Sequence, residues 1–537
     1  MTQNTPRVLP QQSGRFGPGV VFALAAAIAL GFTLFTDQRW EDYYITFRVS
    51  QNLARGAGLV FQPGERVHAF TSPLGVLLPA IISWSTGTRS DELTLWIFRL
   101  LTIGAFAGSV AAVWSIVRAL GWSRLSCAVA AGLLMTDAKS VSFSTNGMET
   151  AFMLLFLALS IRRLIADPKG VDWGLGCCWA ALLWTRPDGF IFFGGVALGW
   201  WLFAPGSRQA GGRTALAGRF VKAGLVCAVL YLPWFIWAWC YFGSPVPHTV
   251  VAKAIGNNLP GWPMLLLVFV IMPIRCLALG KWDFILLPTY AADFGGWPHF
   301  IIYAAHALVG ITLWAFMLPR MGPATRALSV AFVIAAFYLA LVQLFPWYMP
   351  PAAMLAFIVL AGVLEAGFRG IRRKIIPITL GVAAVLFSAS LLTASAWQLR
   401  QQQRIIESQR KAMGEWLKAN SSSPADTVFL EPLGYIGYYS GLKMLDYPGL
   451  CSTEVVEARR KIGENRLALV AELKPDWVVQ RPGELYNADP ALNAWFIDHY
   501  APAKIFNAGD RIAAVRFLPG RRYLQFDQGF LVWKRKD

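Results

Sequence analysis

The chain has 537 residues, 56% of them hydrophobic and 15% charged, with a mean hydropathy of +0.48. That is more apolar surface than a water-soluble core can hide, so the chain reads as one that crosses a bilayer many times. The formal net charge of +18 sits largely in short loops between apolar runs, which is a mark of membrane topology and argues against nucleic-acid binding.

A charge-free apolar stretch from Phe16 to Thr36 is long enough to span, and no convincing small-residue cleavage site follows it. Beyond it lies Asp37-Gln-Arg-Trp-Glu-Asp-Tyr-Tyr-Ile-Thr-Phe-Arg48, with the adjacent carboxylates Glu41 and Asp42 at the expected membrane surface. There a carboxylate can orient an acceptor hydroxyl or take its proton; an inert acidic loop edge is the alternative.

Basic residues fix the parity of the remaining spans. The loops holding Arg7/Arg15, Arg118/Arg124, Arg162/Arg163/Lys169, Arg208/Arg213/Arg219/Lys222, Arg320/Arg326 and Arg369/Arg372/Arg373/Lys374 contain 17 Lys/Arg against two acids, Asp167 and Asp172, and are assigned to the cytoplasm. Segment 37–92 carries five Arg against six Asp+Glu and belongs outside. Residues 93–117 then form one span, and the short run 73–84 is a juxtamembrane helix within a first external loop.

The same logic makes 125–137 with 149–161, and 173–184 with 189–203, two pairs of short passes. Residues 220–242 exit, 243–299 form a second external region in which the run 264–274 is ambiguous, and spans near 300–319, 327–344, 351–368 and 375–397 follow. About eleven crossings result, with the N-terminus cytoplasmic and the C-terminus outside. The predicted organisation is a transmembrane domain over 1–399 and a soluble external α/β domain over 400–537. The tail from Leu399 has 20 Lys/Arg against 16 Asp/Glu. Its strands are expected at 427–430, 477–480, 512–517 and 530–533, and its helical stretches at 401–419 and 453–473.

Six of the seven cysteines lie in or beside apolar runs, and Cys451 alone is in the tail, so no disulfide within that domain is available. Cys177-Cys178 lack zinc-ligand spacing, and the five histidines form no metal constellation.

Glu41-Asp-Tyr-Tyr-Ile-Thr-Phe-Arg48, Asn52-Leu-Ala-Arg-Gly-Ala-Gly-Leu-Val-Phe61, Pro63-Gly-Glu-Arg-Val67 and Thr71-Ser-Pro-Leu74 resemble the first external loop of bacterial GT-C membrane glycosyltransferases. The group in question includes the mycobacterial terminal arabinofuranosyltransferase and the pilin arabinosyltransferases. Matches continue in order through Gly147-Met-Glu-Thr150, Arg186-Pro-Asp-Gly189, Tyr241-Phe-Gly-Ser-Pro-Val-Pro-His-Thr-Val-Val-Ala-Lys253 and Trp347-Tyr348. In the tail they are Gly437-Tyr-Tyr439, Leu445-Asp446, Gly449-Leu450 and Lys474-Pro-Asp-Trp477. Departures are Glu41 where many relatives carry a first aspartate, His68 in place of an acid, Gly75 in place of an aromatic, and His248 in place of an asparagine.

The resemblance implies transfer of a sugar, arabinofuranose for this group, from a polyprenyl-phosphate donor to a glycan, lipid-linked glycan or protein acceptor on the external face of a bacterial inner membrane. Such chemistry needs a carboxylate near the acceptor hydroxyl and cations near the interface for the phosphate. Glu41 and Asp42 are the candidate catalytic carboxylates; the resemblance points to the first position, Glu41, as the base, and the retained aspartate points to Asp42 as the alternative. Arg48 and Lys253 are the candidates for the donor phosphate, against the alternative of ordinary interfacial cations. Glu149, Arg186, Asp188, His248, Trp347, Tyr348 and Asp446 are candidate substrate contacts. For Arg186 and Asp188 a purely structural ion pair is the competing reading, and for His248 a turn role. Whether a divalent cation takes part is open. A transporter or flippase for a lipid-linked sugar would share the membrane spans, but no internal repeat supports it; a non-catalytic envelope-complex subunit is the third alternative.

Overall fold

The computed structural model describes residues 17–87, 90–166, 173–203, 212–255, 261–267, 270–271, 285–288, 297–341, 345–370, 374–485 and 489–536. In chain order its first helices are α1 (Pro18–Thr36), α2 (Glu41–Ala54), α3 (Pro73–Ser85), α4 (Asp91–Ala119), α5 (Arg124–Thr136), α6 (Ala138–Phe143), α7 (Thr150–Ala166), α8 (Trp173–Thr185), α9 (Gly189–Phe203), α10 (Gly212–Phe242) and α11 (His248–Ala254). Helices Pro323–Leu341, Pro350–Gly370 and Ile375–Gln402 follow Trp314, the end of helix His299–Trp314.

Among the described residues seven helices are long and apolar enough to cross a membrane: Pro18–Thr36, Asp91–Ala119, Gly212–Phe242, His299–Met317, Pro323–Leu341, Pro350–Gly367 and Ile375–Asn420. The protein is a multi-pass membrane protein. The expected count of about eleven also needed α5, α7, α8 and α9, which are 13, 17, 13 and 15 residues long. Each falls short of the roughly 20 residues that cross a hydrocarbon core, so the count is not established. α5 stops at Asp137 because that side chain accepts the Ser140 N–H at 2.8 Å and starts α6 in a new direction. The ambiguous run 264–274 lies partly outside the described residues.

Small residues set the helix spacing. α9 lies along Pro323–Leu341, and Gly195 and Gly199 let it approach the backbone at Ala331 and Ala327 so closely that a Cβ at Gly199 would collide with the Ala327 carbonyl. A continuous apolar core runs from Ala25 on α1 through Val110 on α4 and Leu157 on α7 to Leu355.

Among the described residues, segments that charge parity assigned to the same side meet at the same end of the bundle. At one end Glu365 accepts from Ser123 N at 2.8 Å and Ser126 Oγ at 2.9 Å, Arg369 donates to Gly121 O at 3.1 Å, and the Arg326 guanidinium lies 4.3 Å from the Phe203 ring centre. At the other end Arg99, fully buried, donates to Asp37 Oδ1 at 2.9 Å, Gln38 O at 2.6 Å and Thr145 O at 3.0 Å. Trp40 N–H there reaches Asn146 O at 3.0 Å.

The long helix from Ile375 continues past Leu399, through one π-helical turn at Gln403–Glu407, to Asn420. It leads into a five-stranded sheet built from β1 (Thr427–Leu430), β2 (Lys443–Asp446), β3 (Trp477–Gln480), β4 (Tyr500–Asn507) and β5 (Gly529–Arg535), in the order β2-β1-β3-β5-β4. β1 pairs in parallel with β2 and β3, whereas β5 is antiparallel to β3 and β4. The tail departs from expectation in three places. The stretch 453–473 is two helices, Thr453–Ile462 and Arg466–Leu473, because Gly463 takes φ +89° and Asn465 caps the second by accepting from Ala468 N. Residues 512–517, expected as a strand, instead hold the end of helix Gly509–Ala513 and irregular chain, and the two edge strands, β2 and the largely exposed β4, were not expected.

One face of this sheet is packed by the first loop rather than by the tail alone. Ile45, Val49, Phe61, Phe70 and Val76 share a core with Val428, Leu430, Met444, Trp477 and Phe530. The other face is covered by Val455, Leu467, Val470 and Phe496. Tyr43, Tyr44 and Phe47 interdigitate with Tyr435 and Tyr438 of helix Leu433–Ser440, with Tyr44 and Tyr435 ring centres 4.4 Å apart.

Candidate active site

Glu41 and Asp42 occupy the first turn of α2, where a carboxylate is favoured by the unsatisfied N–H groups of the helix. Their side chains part company at once. Glu41 Oε1 accepts the Gly434 N–H at 2.5 Å, and Oε2 lies 3.3 Å from Arg410 Nη1. Position 434 must be glycine for this approach, since a Cβ there would overlap the Glu41 carbonyl. Arg410 is itself buried and also binds Glu407 at 2.9 Å and Asp527 at 2.6 Å. Asp527 in turn holds Arg481 at 2.5 Å, and Arg481 pairs with Glu431 and Glu484. Glu41 is thus the first-loop terminus of an ion network that runs through the sheet domain.

Asp42 has no hydrogen bond or ion pair to any described residue, and it lines two cavities that meet at its side chain. The smaller, about 160 Å³, is walled by Trp40, Glu41, Gln402, Glu407, Arg410 and Asp527. The larger, about 520 Å³, is walled by Lys253, Phe345, Tyr447, Pro448, Leu450 and Arg459. Trp347 borders both. Burial is the main influence on the Asp42 carboxyl and pushes its pKa above the usual aspartate range. Lys253 is the strongest of the neighbouring charges and opposes that rise, Glu149 adds to it, and Arg186 and Arg410 oppose it. Glu41 is likewise raised by burial, against the pull of Arg410 and the Gly434 N–H.

A second cluster of the expected residues lies behind this junction. Arg186 sits between Asp188, at 2.9 Å from Nε, and Glu149, at 3.4 Å from Nη1, with its guanidinium 4.5 Å from the centre of the Tyr348 ring. Tyr338 donates to Asp188 at 2.8 Å. Trp347 stacks on Phe345 at 4.6 Å and meets Trp40 edge-on at 5.8 Å. The Lys253 ammonium lies 4.8 Å from the Phe345 ring centre. Asp42, Lys253, Glu149, Arg186, Asp188, Trp347 and Tyr348 therefore converge.

Arg48, His248 and Asp446 do not join them. Arg48 is buried under Phe61 and donates to Gly437 O at 2.6 Å, Leu442 O at 3.1 Å and Gly441 O at 3.3 Å. It closes the C-terminal end of helix Leu433–Ser440, and burial lowers its pKa to about 10. The expectation of a phosphate contact there is replaced by a structural role, because the guanidinium faces backbone carbonyls and lines neither cavity. Asp446 is fully buried and accepts from Leu450 N at 2.5 Å, Cys451 N at 2.9 Å and Gly449 N at 3.2 Å. It shapes the turn that walls the larger cavity without facing it. His248 opens α11, with its N–H on His68 O at 3.0 Å and its ring 3.4 Å from Ser452 O.

Sequence reasoning did not single out Arg410, Glu407, Asp527 and Arg459. Glu407–Arg410 and Arg459–Glu464 are close in the chain, but the contacts that bring them to the site, such as that of Arg410 with Glu41, 369 residues away, have no local signature. Among the described residues no group of three or more His, Cys, Asp or Glu is placed to hold a metal ion.

A family model described as a domain of unknown function (DUF8728) matches residues 397–526. The terminal beta-(1->2)-arabinofuranosyltransferase of Corynebacterium glutamicum is 27% identical over 297 residues, covering 47% of this chain and 39% of that protein. Its counterpart in Mycobacterium tuberculosis is 27% identical over 245 residues, covering 43% of this chain and 37% of that protein. The chain thus spans about two fifths of the length of these curated relatives. The crystal structure of ArnT from Cupriavidus metallidurans bound to undecaprenyl phosphate superposes with a TM-score of 0.52 at 13% identity, covering 96% of this chain and 98% of that one. The chain has the GT-C polytopic fold.

Proposed function

We propose that the protein is a GT-C glycosyltransferase that moves a sugar from a polyprenyl-phosphate donor to a hydroxyl of a cell-envelope glycan, lipid or protein, with Asp42 as the base. Likeness to the arabinofuranosyltransferases points to arabinofuranose as the sugar, and likeness to ArnT bound to undecaprenyl phosphate points to the donor class. The observation that carries the reading is Asp42 itself: a carboxylate with no hydrogen bond or ion pair among the described residues, lining two cavities, in the field of Lys253.

In this reading the larger cavity takes the donor, with its phosphate toward Lys253, and the smaller takes the acceptor. The Asp42 carboxylate accepts the proton of the acceptor hydroxyl as that oxygen bonds to the anomeric carbon. The bond from that carbon to the phosphate oxygen breaks, and polyprenyl phosphate leaves with the electron pair, its growing charge stabilised by Lys253. Trp347, on the border of both cavities, offers a flat apolar face to the sugar in transit. Arg186, with Glu149, Asp188 and Tyr348, fixes the floor beneath Asp42 and tunes its charge. The end of the bundle bearing Glu41 is assigned to the external face of a bacterial inner membrane, with the N-terminus cytoplasmic and the tail outside.

The test is transfer by the full chain in lipid nanodiscs, given radiolabelled polyprenyl-phosphate arabinofuranose and envelope fractions as acceptor. Label should move to the acceptor with the wild type and not with Asp42→Asn. Equal transfer by both would remove Asp42 as the base; no transfer by the wild type from pentose or hexose donors would remove the enzyme reading.

A further inference from the structure

Lys253 lies on α11, a helix of seven residues too short to hold its own position by backbone hydrogen bonds. What holds it comes from the sheet domain. Arg459, on helix Thr453–Ile462, is buried and sends Nη1 to Ala252 O at 2.8 Å and Nη2 to Ile255 O at 3.3 Å, the carbonyls flanking Lys253 and its neighbour Ala254. The same guanidinium reaches Pro448 O at 2.6 Å and is gripped by both oxygens of Glu464, with Nε at 3.1 Å and Nη2 at 2.8 Å. Tyr447 donates to Glu464 at 2.7 Å from the other side.

A guanidinium has five N–H groups, and these contacts engage every one of its nitrogens. Arg459 lines the larger cavity, yet it has no donor left for a ligand unless it lets go of a carbonyl. At the opposite end of α11 the His248 N–H and ring reach His68 O and Ser452 O, so the helix is pinned between the first loop and the sheet domain. We infer that Arg459 is a positioning residue: it clamps the C-terminal end of α11 and so sets where the Lys253 ammonium meets the anionic group of the donor. The inference rests on the role given to Lys253 above.

The experiment uses the full chain in nanodiscs, with undecaprenyl phosphate as the binding probe, and compares wild type, Lys253→Gln, Arg459→Gln, Arg459→Lys and the Arg459→Gln/Lys253→Gln double variant. Arg459→Gln should weaken binding about tenfold, the scale of one lost charge-assisted contact. Arg459→Lys, which keeps the charge but loses the planar fork, should fall between. The double variant should bind no more weakly than Lys253→Gln alone, because both changes remove one interaction. Multiplying losses, or unchanged binding by Arg459→Gln, would overturn the clamp.

A second readout needs no donor and covers loss of folding. With Lys253→Cys introduced, the rate of modification by a water-soluble thiol reagent should change severalfold when Arg459→Gln is added, in protein that remains monodisperse. An unchanged rate counts against the clamp. If the wild type does not bind undecaprenyl phosphate, the donor assignment fails, and the thiol rates still decide whether Arg459 sets the place of α11.

Discussion

Glu41 and Asp42 are consecutive residues that both border the smaller cavity but differ in their partners: the Glu41 carboxylate is held in an ion pair with Arg410 at 3.3 Å, whereas Asp42 has no ion pair among the described residues and also lines the larger cavity. A helix turns 100° per residue, so two adjacent acids diverge even where both border one cavity. α2 uses one to bind the sheet domain and presents the other to the space between the domain and the bundle. Docking of the tail and exposure of the base are two results of one helical turn.

Charge-removing substitutions should separate the two roles. Asp42→Asn should lower the transfer rate by about 10² to 10⁴, the range of a lost general base. It should leave the thermal midpoint unchanged or higher, since a carboxyl whose pKa is raised by burial costs stability when ionised. Glu41→Gln keeps an acceptor for Gly434 N–H but loses the charge facing Arg410, and should cost roughly 1–3 kcal/mol in stability with a smaller loss in rate. Rates and thermal midpoints measured on the same detergent-purified samples decide this. A large rate loss at Glu41 with none at Asp42 would reverse the assignment.

Arg48→Ala should act on stability and not on donor use. Three carbonyls at the end of helix Leu433–Ser440 lose their donor inside a buried interface, a loss of roughly 2–4 kcal/mol. The donor concentration giving half-maximal rate should stay near that of wild type, in contrast to Lys253→Gln, which should raise it. A raised donor requirement in Arg48→Ala, without a fall in thermal midpoint, would return Arg48 to the donor site.

The sequence made the helices legible where apolar runs have sharp ends: the bounds 189–203 match to the residue, and 73–84 and 173–184 to within one. It placed β1 and β3 equally well because each is a short β-rich run, buried at every position in β3 and at all but Thr427 in β1. The segment 212–219 of α10 was missed because it is basic and polar, yet continues the same helix. Within the site, Lys253, Arg186 and Asp188 stood out as charges beside apolar runs. Arg48 misled for the same reason, since nothing local distinguishes a guanidinium facing water from one facing carbonyls of a helix near 440. The contacts of Arg410 with Glu41 and of Arg459 with Ala252 and Ile255 depend on how the tail folds back on the first and second loops.

Topology is tested by labelling cysteines with a membrane-impermeant reagent, after the exposed Cys177 and Cys240 have been replaced. Pro63 is exposed in the first loop and Asn507 on the sheet domain, while Arg320 is exposed in a loop assigned to the cytoplasm. Pro63→Cys and Asn507→Cys should react in intact spheroplasts, and Arg320→Cys only after lysis. Reaction at Arg320→Cys before lysis would invert the orientation; opposite behaviour of 63 and 507 would contradict their shared core.

The pH dependence of transfer should carry the signature of Asp42. A base must be ionised to accept the acceptor proton, so the rate falls as pH drops through its pKa. Because burial raises that pKa, the fall should begin above the usual aspartate range. The neighbours give the sign of each shift. Lys253 favours the ionised form, so Lys253→Gln should move the acid limb to higher pH. Glu149 disfavours it, so Glu149→Gln should move the limb to lower pH. Both follow from single-turnover rates at saturating donor, where the loss of donor affinity expected for Lys253→Gln no longer enters. Opposite displacements would identify Asp42 as the group that titrates. If neither substitution moves the limb, the proton is taken by a group outside the field of Lys253 and Glu149, and the assignment of the base falls.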